Sequence, residues 1–249
     1  MLLAIDIGNT NTHFGVFDSE KLISHFKVPT VRNKTSDEII DSIREKISPY
    51  VSAIFISSVV PELNDAFQKL SEKYYGLKPV FVDYTFDFNL KIKYNPASAL
   101  GVDRLIGAFA AIETYGKPCI VCDFGTATTI DAVNSKSEYL GGIIAPGMNV
   151  LADALFRKTS KLPLVDIKKP ESVFGNSTVS SIQSGIYFGY AGLVDGIIRR
   201  MIDNLREKPR IIATGGLASV IAESSELIEM VDETLMLEGL RLIYEKIKH

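Results

Sequence analysis

The order of elements along this 249-residue chain predicts an α/β fold built from two similar halves with a ligand cleft between them. Three observations carry that expectation. A short acidic-glycine loop, Ala4-Ile5-Asp6-Ile7-Gly8-Asn9-Thr10-Asn11-Thr12, returns as Val121-Cys122-Asp123-Phe124-Gly125-Thr126-Ala127-Thr128-Thr129, offset by 117 residues from Asp6 to Asp123. Each copy leads into the same kind of strand meander. Strand and helix patterns then alternate. The duplication is one motif plus its topology, not extended identity, and it divides the chain into residues 1–115 and 116–249.

In the first half an apolar run ends at Asp6, and Thr12–Asp18 and Leu22–Val28 follow as strands around a turn at Ser19-Glu20-Lys21. Thr35-Ser36-Asp37-Glu38 is a capping-box pattern, followed by Ile39, Ile40, Ile43 and Ile47 at helical spacing. Ala53–Val59 is a buried strand, Pro61 opens a helix carrying Leu63, Phe67 and Leu70, and Pro79–Asp83 closes the unit. Leu90–Leu100 reads as a loop with a turn at Tyr94-Asn95-Pro96, and a helix through Leu105, Ala108, Phe109 and Ile112 follows Gly101. The second meander is Pro118–Asp123, Thr128–Asn134 and Tyr139–Ala145. Pro146-Gly147 leads into a helix through Leu151 and Leu155, and Thr159–Pro170 is a polar loop. Ser177–Leu205 is a long helix with Ile182, Ile186, Tyr190, Val194, Ile197 and Met201 on one side. Ile211–Ala218 is a strand ending in a glycine turn, and an amphipathic helix runs from about Thr234 to the end.

Composition narrows the function classes. Hydrophobic content of 46% is ample for a packed core. A net charge of −3 and a pI near 5.7 give no basic field to draw nucleic acid. No apolar stretch reaches the ~18 residues of a membrane span, and Met1-Leu2-Leu3-Ala4-Ile5-Asp6 lacks the cationic region of a signal peptide. The expected location is therefore cytoplasmic. Cys119 and Cys122 have Cys-X-X-Cys spacing, but they fall on a strand with no second pair to complete a zinc site, and they read as buried small hydrophobes. His13, His25 and His249 are too scattered for a histidine metal cluster.

The two loops carry the chemistry. An apolar strand stops at a polar site, Gly lets the backbone approach a ligand, and the Asn, Thr and N–H groups beyond it suit phosphate oxygens. The Asp suits the cation that accompanies phosphate. Neither a Gly-X4-Gly-Lys-[Ser/Thr] loop nor a Gly-X-Gly-X-X-Gly fingerprint is present, so a nucleotide must be held another way. Thr214-Gly215-Gly216 lets a flat ligand lie against the backbone or is an ordinary strand–helix turn. Asp103-Arg104 after Gly101 is either a helix-start acid with a solvated partner, or a general base beside a guanidinium that grips a substrate carboxylate. The glycines of Gly141-Gly142-Ile143-Ile144-Ala145-Pro146-Gly147 serve ligand approach or packing. Gly185, Gly189, Gly192 and Gly196 on the long helix point to close approach by a second subunit or by the domain's own sheet.

Together, Asp6-X-Gly8-Asn9-Thr10, Tyr94 followed by Leu100-Gly101-X-Asp103-Arg104, Asp123-X-Gly125-Thr126-Ala127-Thr128 and Gly141-Gly142-X-Ile144-X-Pro146-Gly147 resemble, in kind and order, the motifs of type III pantothenate kinases. The resemblance spans nearly the whole chain, with no departure at a motif position. It implies the acetate and sugar kinase, Hsp70 and actin fold, with two ribonuclease-H-like halves, and a homodimer. It implies transfer of phosphate from ATP to pantothenate, giving 4′-phosphopantothenate and ADP, the first step of coenzyme A synthesis. Carried over by position, Asp6, Ile7, Gly8, Asn9, Thr10, Asn11, Thr12 and His13 form the first phosphate loop, with Asp6 holding Mg²⁺ through water. Thr126 contacts ATP, and Asp123 binds a monovalent cation, K⁺ or NH₄⁺. Asp103 is the base, and Tyr94, Gly101, Val102, Asp103 and Arg104 bind pantothenate. Thr178 reaches pantothenate in the neighbouring subunit. The alternatives are another kinase of the superfamily acting on a sugar or small alcohol, and a nucleotide-binding regulator without chemistry.

Overall fold

The structure is a computed structural model that describes residues 1–48 and 50–248. His249, one of the three scattered histidines, lies outside the described residues. Two compact units form. The first comprises residues 1–89, 95–110 and the segment from Thr234 through the C-terminal helix; the second comprises residues 90–94 and 111–233.

The sheet of the first unit begins with β1 (Leu2–Ile7), β2 (Asn11–Asp18) and β3 (Lys21–Pro29), an antiparallel meander, and continues with β4 (Ala53–Ser58) and β5 (Val80–Phe81), both parallel additions. Its strand order is β3-β2-β1-β4-β5. Alternation sets its faces. Leu3, Ile5, Ile7, Phe14 and Val16 point to one side and are fully or nearly fully buried against Ile39, Ile40 and Ile43 of α1 (Ser36–Ile43) and Phe67 and Leu70 of α2 (Asn64–Tyr75). The expected capping box at Thr35 is present: its hydroxyl accepts the Glu38 N–H, and the Glu38 carboxylate accepts the Thr35 N–H, an arrangement worth about 1 kcal/mol. The other side of the sheet is covered by the C-terminal helix. Phe55 meets Tyr244 edge-on at 5.3 Å, and a Cβ on Gly15 would contact Leu237.

In the second unit, the two-residue strand β6 (Lys91–Ile92) leads to α3 (Val102–Tyr115), whose last turns lie in this unit, and then to β7 (Cys119–Phe124), β8 (Ala127–Val133) and β9 (Glu138–Pro146). Next come α4 (Met148–Lys158), α5 (Thr178–Leu205), β10 (Arg210–Thr214), α6 (Ala218–Ala222) and β11 (Met230–Val231). The chain then returns to the first unit as α7 (Leu235–Lys248). The second sheet has the order β11-β10-β7-β8-β9-β6. Apart from β6, that is the first sheet's order again: meander outward on one side of β7, parallel strands on the other. One face packs Ile120, Cys122, Phe124 and Ile130 against Tyr187, Tyr190, Val194 and Ile198 of α5.

Two features differ from the sequence expectation. The chain does not divide once near residue 115. Instead α7 packs with the first sheet, where Gly239 lets it approach Ile106 of α3 closely enough that a Cβ would lie 2.6 Å from a methyl of Ile106. Residues 90–100 are not all loop, because the Lys91 N–H donates to Ser137 and the Lys93 N–H to Tyr139, adding β6 beside β9. The expected helix through Leu151 and Leu155 is α4, whose buried residues are Met148 and Ala152.

Both cysteines are fully buried. Burial pushes the Cys119 thiol up to about 12. Burial, reinforced by the carboxylates of Asp131, Asp123 and Asp195, pushes the Cys122 thiol up further. The thiolate is the reactive form, so iodoacetamide at pH 8 should leave both unmodified in the folded protein and label both in urea, as read by intact mass. Labelling of the folded protein would refute their assignment as core residues.

Candidate active site

β1 enters its loop because its apolar run stops at half-buried Asp6 and resumes once at buried Ile7. Gly8 then turns the chain: its N–H donates to the Asn11 carbonyl at 3.0 Å, and a Cβ there would lie 2.9 Å from that same oxygen. Thr30, the residue after β3, fixes the turn from the side. Its N–H donates to the Thr10 carbonyl at 2.9 Å, and its hydroxyl donates to the Gly8 carbonyl at 2.8 Å and lies 2.9 Å from the Thr12 hydroxyl. Arg32 donates to the Asn9 side chain at 3.1 Å. Asn9 and Thr10 thus stand exposed at the tip of a braced turn, while Ile7 and Thr12 are buried and offer a ligand only backbone groups.

The register places Asp6 opposite His13 on β2 and Ser57 on β4. Lys27 follows beyond His13, so Lys27, His13, Asp6 and Ser57 form one row across a single face. Burial first, then the positive charge of Lys27 and the neighbouring His25, hold His13 below the ordinary histidine range.

The second loop repeats the plan with different bracing. Asp123 lies opposite Thr129 on β8 and Thr214 on β10. Thr126 is exposed at the tip, and its carbonyl accepts the Gly147 N–H at 3.0 Å. A Cβ on Gly147 would overlap the carbonyl oxygens of Gly125 and Thr126, and a Cβ on Gly215 would strike Asp123 Oδ1 and the Phe124 backbone. Both glycines are therefore required by the protein's own second loop. Gly216, by contrast, has nothing within 4 Å of where its Cβ would be.

Asp103 occupies the first turn of α3, and its Oδ1 accepts the Arg104 N–H at 2.8 Å. That oxygen also lies against Gly101, where a Cβ would collide with it. Arg104 is 9% exposed and lies between buried Leu100 and Leu105. Asp103 is held by its own backbone, and Arg104 is shielded from water, which strengthens a forked pairing with a carboxylate. A cavity of about 370 Å³ borders this turn, lined by Ser58, Asn64, Asp83, Tyr84, Leu100 and Val102.

Of the remaining expected residues, Tyr94 belongs to the second unit and lies 3.6 Å from where a Cβ of Gly141 would be. Thr178 is the exposed first residue of α5, behind a cap in which the Ser177 hydroxyl accepts the Ser180 N–H. Thr30, Arg32 and Ser57 were not legible as site residues, because pairing to the loop across a sheet leaves no local spacing in the sequence. Among the described residues no three His, Cys, Asp or Glu side chains gather as for a metal ion. A divalent ion at Asp6 fits as Mg²⁺ fits nucleotide sites, with one carboxylate and the rest water and phosphate oxygens.

A sheet built twice in one strand order, with an Asp-X-Gly turn closing the first hairpin of each copy, defines the acetate and sugar kinase, Hsp70 and actin class of fold. Solved structures agree. One from Campylobacter jejuni, described as a Baf family transcriptional activator, superposes with a TM-score of 0.61 at 21% identity, covering 99% of this chain and 98% of that one. A polyphosphate/ATP-glucomannokinase from an Arthrobacter strain superposes with a TM-score of 0.52 at 16% identity, covering 100% and 99%. These likenesses speak to fold alone. The sequence profile of the type III pantothenate kinases matches residues 2–200. A type III pantothenate kinase of Citrifermentans bemidjiense is 47% identical over 254 residues, covering 100% of both chains, and that of Koribacter versatilis is 44% identical over 262 residues, covering 99% of this chain and 96% of its own. The chain belongs to the type III pantothenate kinase family.

Proposed function

We propose that this kinase transfers the γ-phosphoryl group of ATP to the 4′-hydroxyl of pantothenate, the first step of coenzyme A synthesis, with Asp103 as the base. The observation that carries the residue assignment is the Asp103 carboxylate pinned by Gly101 and the Arg104 N–H at the start of α3. The carboxylate takes the hydroxyl proton as the oxygen attacks the γ-phosphorus and the bond to the β-phosphate breaks, releasing ADP. Arg104 grips the pantothenate carboxylate, with Tyr94, Gly101 and Val102 completing acceptor binding. The ligand-sized cavity beside Leu100 and Val102 supports this placement. The first loop, from Asp6 to His13, and Thr126 hold the nucleotide. Mg²⁺ at Asp6, through water, would neutralise charge on the phosphates.

Asp123 is the proposed site for K⁺ or NH₄⁺. The support is its position at the end of β7, with Gly215 and Gly147 closing the backbone around its loop. We also assign a homodimer. Gly185, Gly189 and Gly192 are exposed with nothing within 4 Å of their would-be Cβ atoms, which removes the domain's own sheet as the reason for them. Exposed Phe174, Leu164 and Leu193 lie before and along the same helix in sequence. Thr178 then serves the partner's site. No described helix is long and apolar enough to cross a membrane, and the need for ATP supports a cytoplasmic location.

The test is a coupled assay of ADP release with pantothenate against a panel of sugars, with and without K⁺ or NH₄⁺. Release with pantothenate alone, raised by the cation, is the expected result. Release with a sugar and none with pantothenate would overturn the substrate.

A further inference from the structure

Ser57 is the last-but-one residue of β4 and is 0% exposed. Its Oγ has no hydrogen-bond partner. Its side chain lies on the face that carries Asp6, because the two are register partners across the parallel β1–β4 pair. Adjacent strands lie about 4.8 Å apart, so a hydroxyl and a carboxylate on such partners meet after one rotation about χ1.

A buried hydroxyl left without a partner is destabilising, because it has given up water for nothing. Such an orphan asks for an explanation, and packing supplies none here: Phe55, two residues back on the same face of β4, fills its position with a buried apolar side chain. The second sheet repeats the pattern. Thr214, 2% exposed, is the register partner of Asp123 across the parallel β7–β10 pair. In each sheet the inner parallel strand therefore sets a small hydroxyl side chain beside the loop aspartate.

We infer that Ser57 is a positioning residue for Asp6, its hydroxyl donating to the Asp6 carboxylate when Mg²⁺ and nucleotide are bound and so fixing which lone pairs face the metal's water shell. This rests on the proposed role of Asp6 at Mg²⁺. Groups that orient a metal-binding carboxylate typically change metal affinity 10–100-fold when removed. The hydroxyl acts through Asp6 and takes no part in proton transfer.

The experiment measures binding without turnover. The affinity of the non-hydrolysable analogue AMP-PNP is followed by calorimetry across a Mg²⁺ titration, for the natural protein, Ser57→Ala, Ser57→Thr and Asp6→Asn. Ser57→Ala should raise the Mg²⁺ concentration for half-maximal binding about tenfold, with the unfolding temperature unchanged or raised because the orphan is gone. Ser57→Thr, the residue type of position 214, should restore the natural value. If Asp6→Asn shifts the Mg²⁺ dependence and Ser57→Ala does not, the inference about Ser57 is overturned while the role of Asp6 stands. If neither shifts it, the role of Asp6 fails and the inference fails with it. A Ser57→Ala protein that only loses stability, with its Mg²⁺ dependence intact, also overturns the inference.

Discussion

Asp103→Asn should lower kcat by about 10²- to 10⁴-fold, the usual contribution of a positioned general base, while Mg²⁺-dependent nucleotide binding is kept. The substitution suits the question because it is nearly isosteric. The side-chain oxygen of Asn can still accept the Arg104 N–H that Asp103 Oδ1 accepts now, and the clearance beside Gly101 is unchanged. The remaining stability effect is the lost charge at the start of α3, about 0.3–2 kcal/mol where a helix dipole meets a half-buried acid. A fall in kcat therefore cannot be blamed on an unfolded site, and thermal unfolding run alongside checks this. If Asp103 only bound the acceptor, the defect would appear in KM and be relieved by raising pantothenate. A kcat within a few-fold of the natural enzyme would end its assignment as the base.

Much of this architecture was legible because it is written locally. An apolar run stopping at Asp6, and another at Asp123, marks a strand that ends at a polar site. Thr35 with Glu38 three residues on marks a helix start, and that start is where the structure has it. The recurrence of the Asp-X-Gly loop and its meander anticipated the repeated sheet, and the strand order adds the parallel strands on the other side of each first strand.

What was not legible is what depends on pairing at long sequence separation. The two-residue strands β6 and β11 are too short to show a period of two. The return of α7 to the first sheet rests on Gly239 meeting Ile106 and Tyr244 meeting Phe55, contacts between residues more than a hundred positions apart. The site divides the same way. Asp6, Asp103 and Asp123 announce themselves by spacing, whereas Thr30 and Ser57 join the first loop only through the register of β3 and β4. The glycines show the limit most clearly. Sequence marks Gly147, Gly215 and Gly216 as alike, and the structure separates them by what a Cβ would meet.

Gly215→Ala is expected to cost roughly 2–6 kcal/mol of stability and to abolish any response to K⁺ or NH₄⁺. Two independent penalties combine. Gly215 has φ +89°, a conformation that an L side chain adopts only with strain of about 1–3 kcal/mol. Its added Cβ would also strike Asp123 Oδ1 and come within 2.7 Å of the Phe124 nitrogen, and forcing an extra methyl into a closed space costs typically 1–3 kcal/mol. The backbone of β7 cannot move away cheaply, because Asp123 and Phe124 are tied in register to Thr129 and Thr128 on β8, and Asp123 is paired with Thr214 on β10. The strain must then fall on the Asp123 carboxylate, the proposed monovalent cation site, so stability and cation activation should fail together. Gly216→Ala is the matched control: no atom lies within 4 Å of its would-be Cβ, and a surface change of that kind is usually worth within ±0.5 kcal/mol. Urea unfolding of the two variants, with ADP release followed against K⁺ concentration, decides the matter. Equal stability for Gly215→Ala and Gly216→Ala would show that the second loop does not depend on the close approach of Gly215 to Asp123.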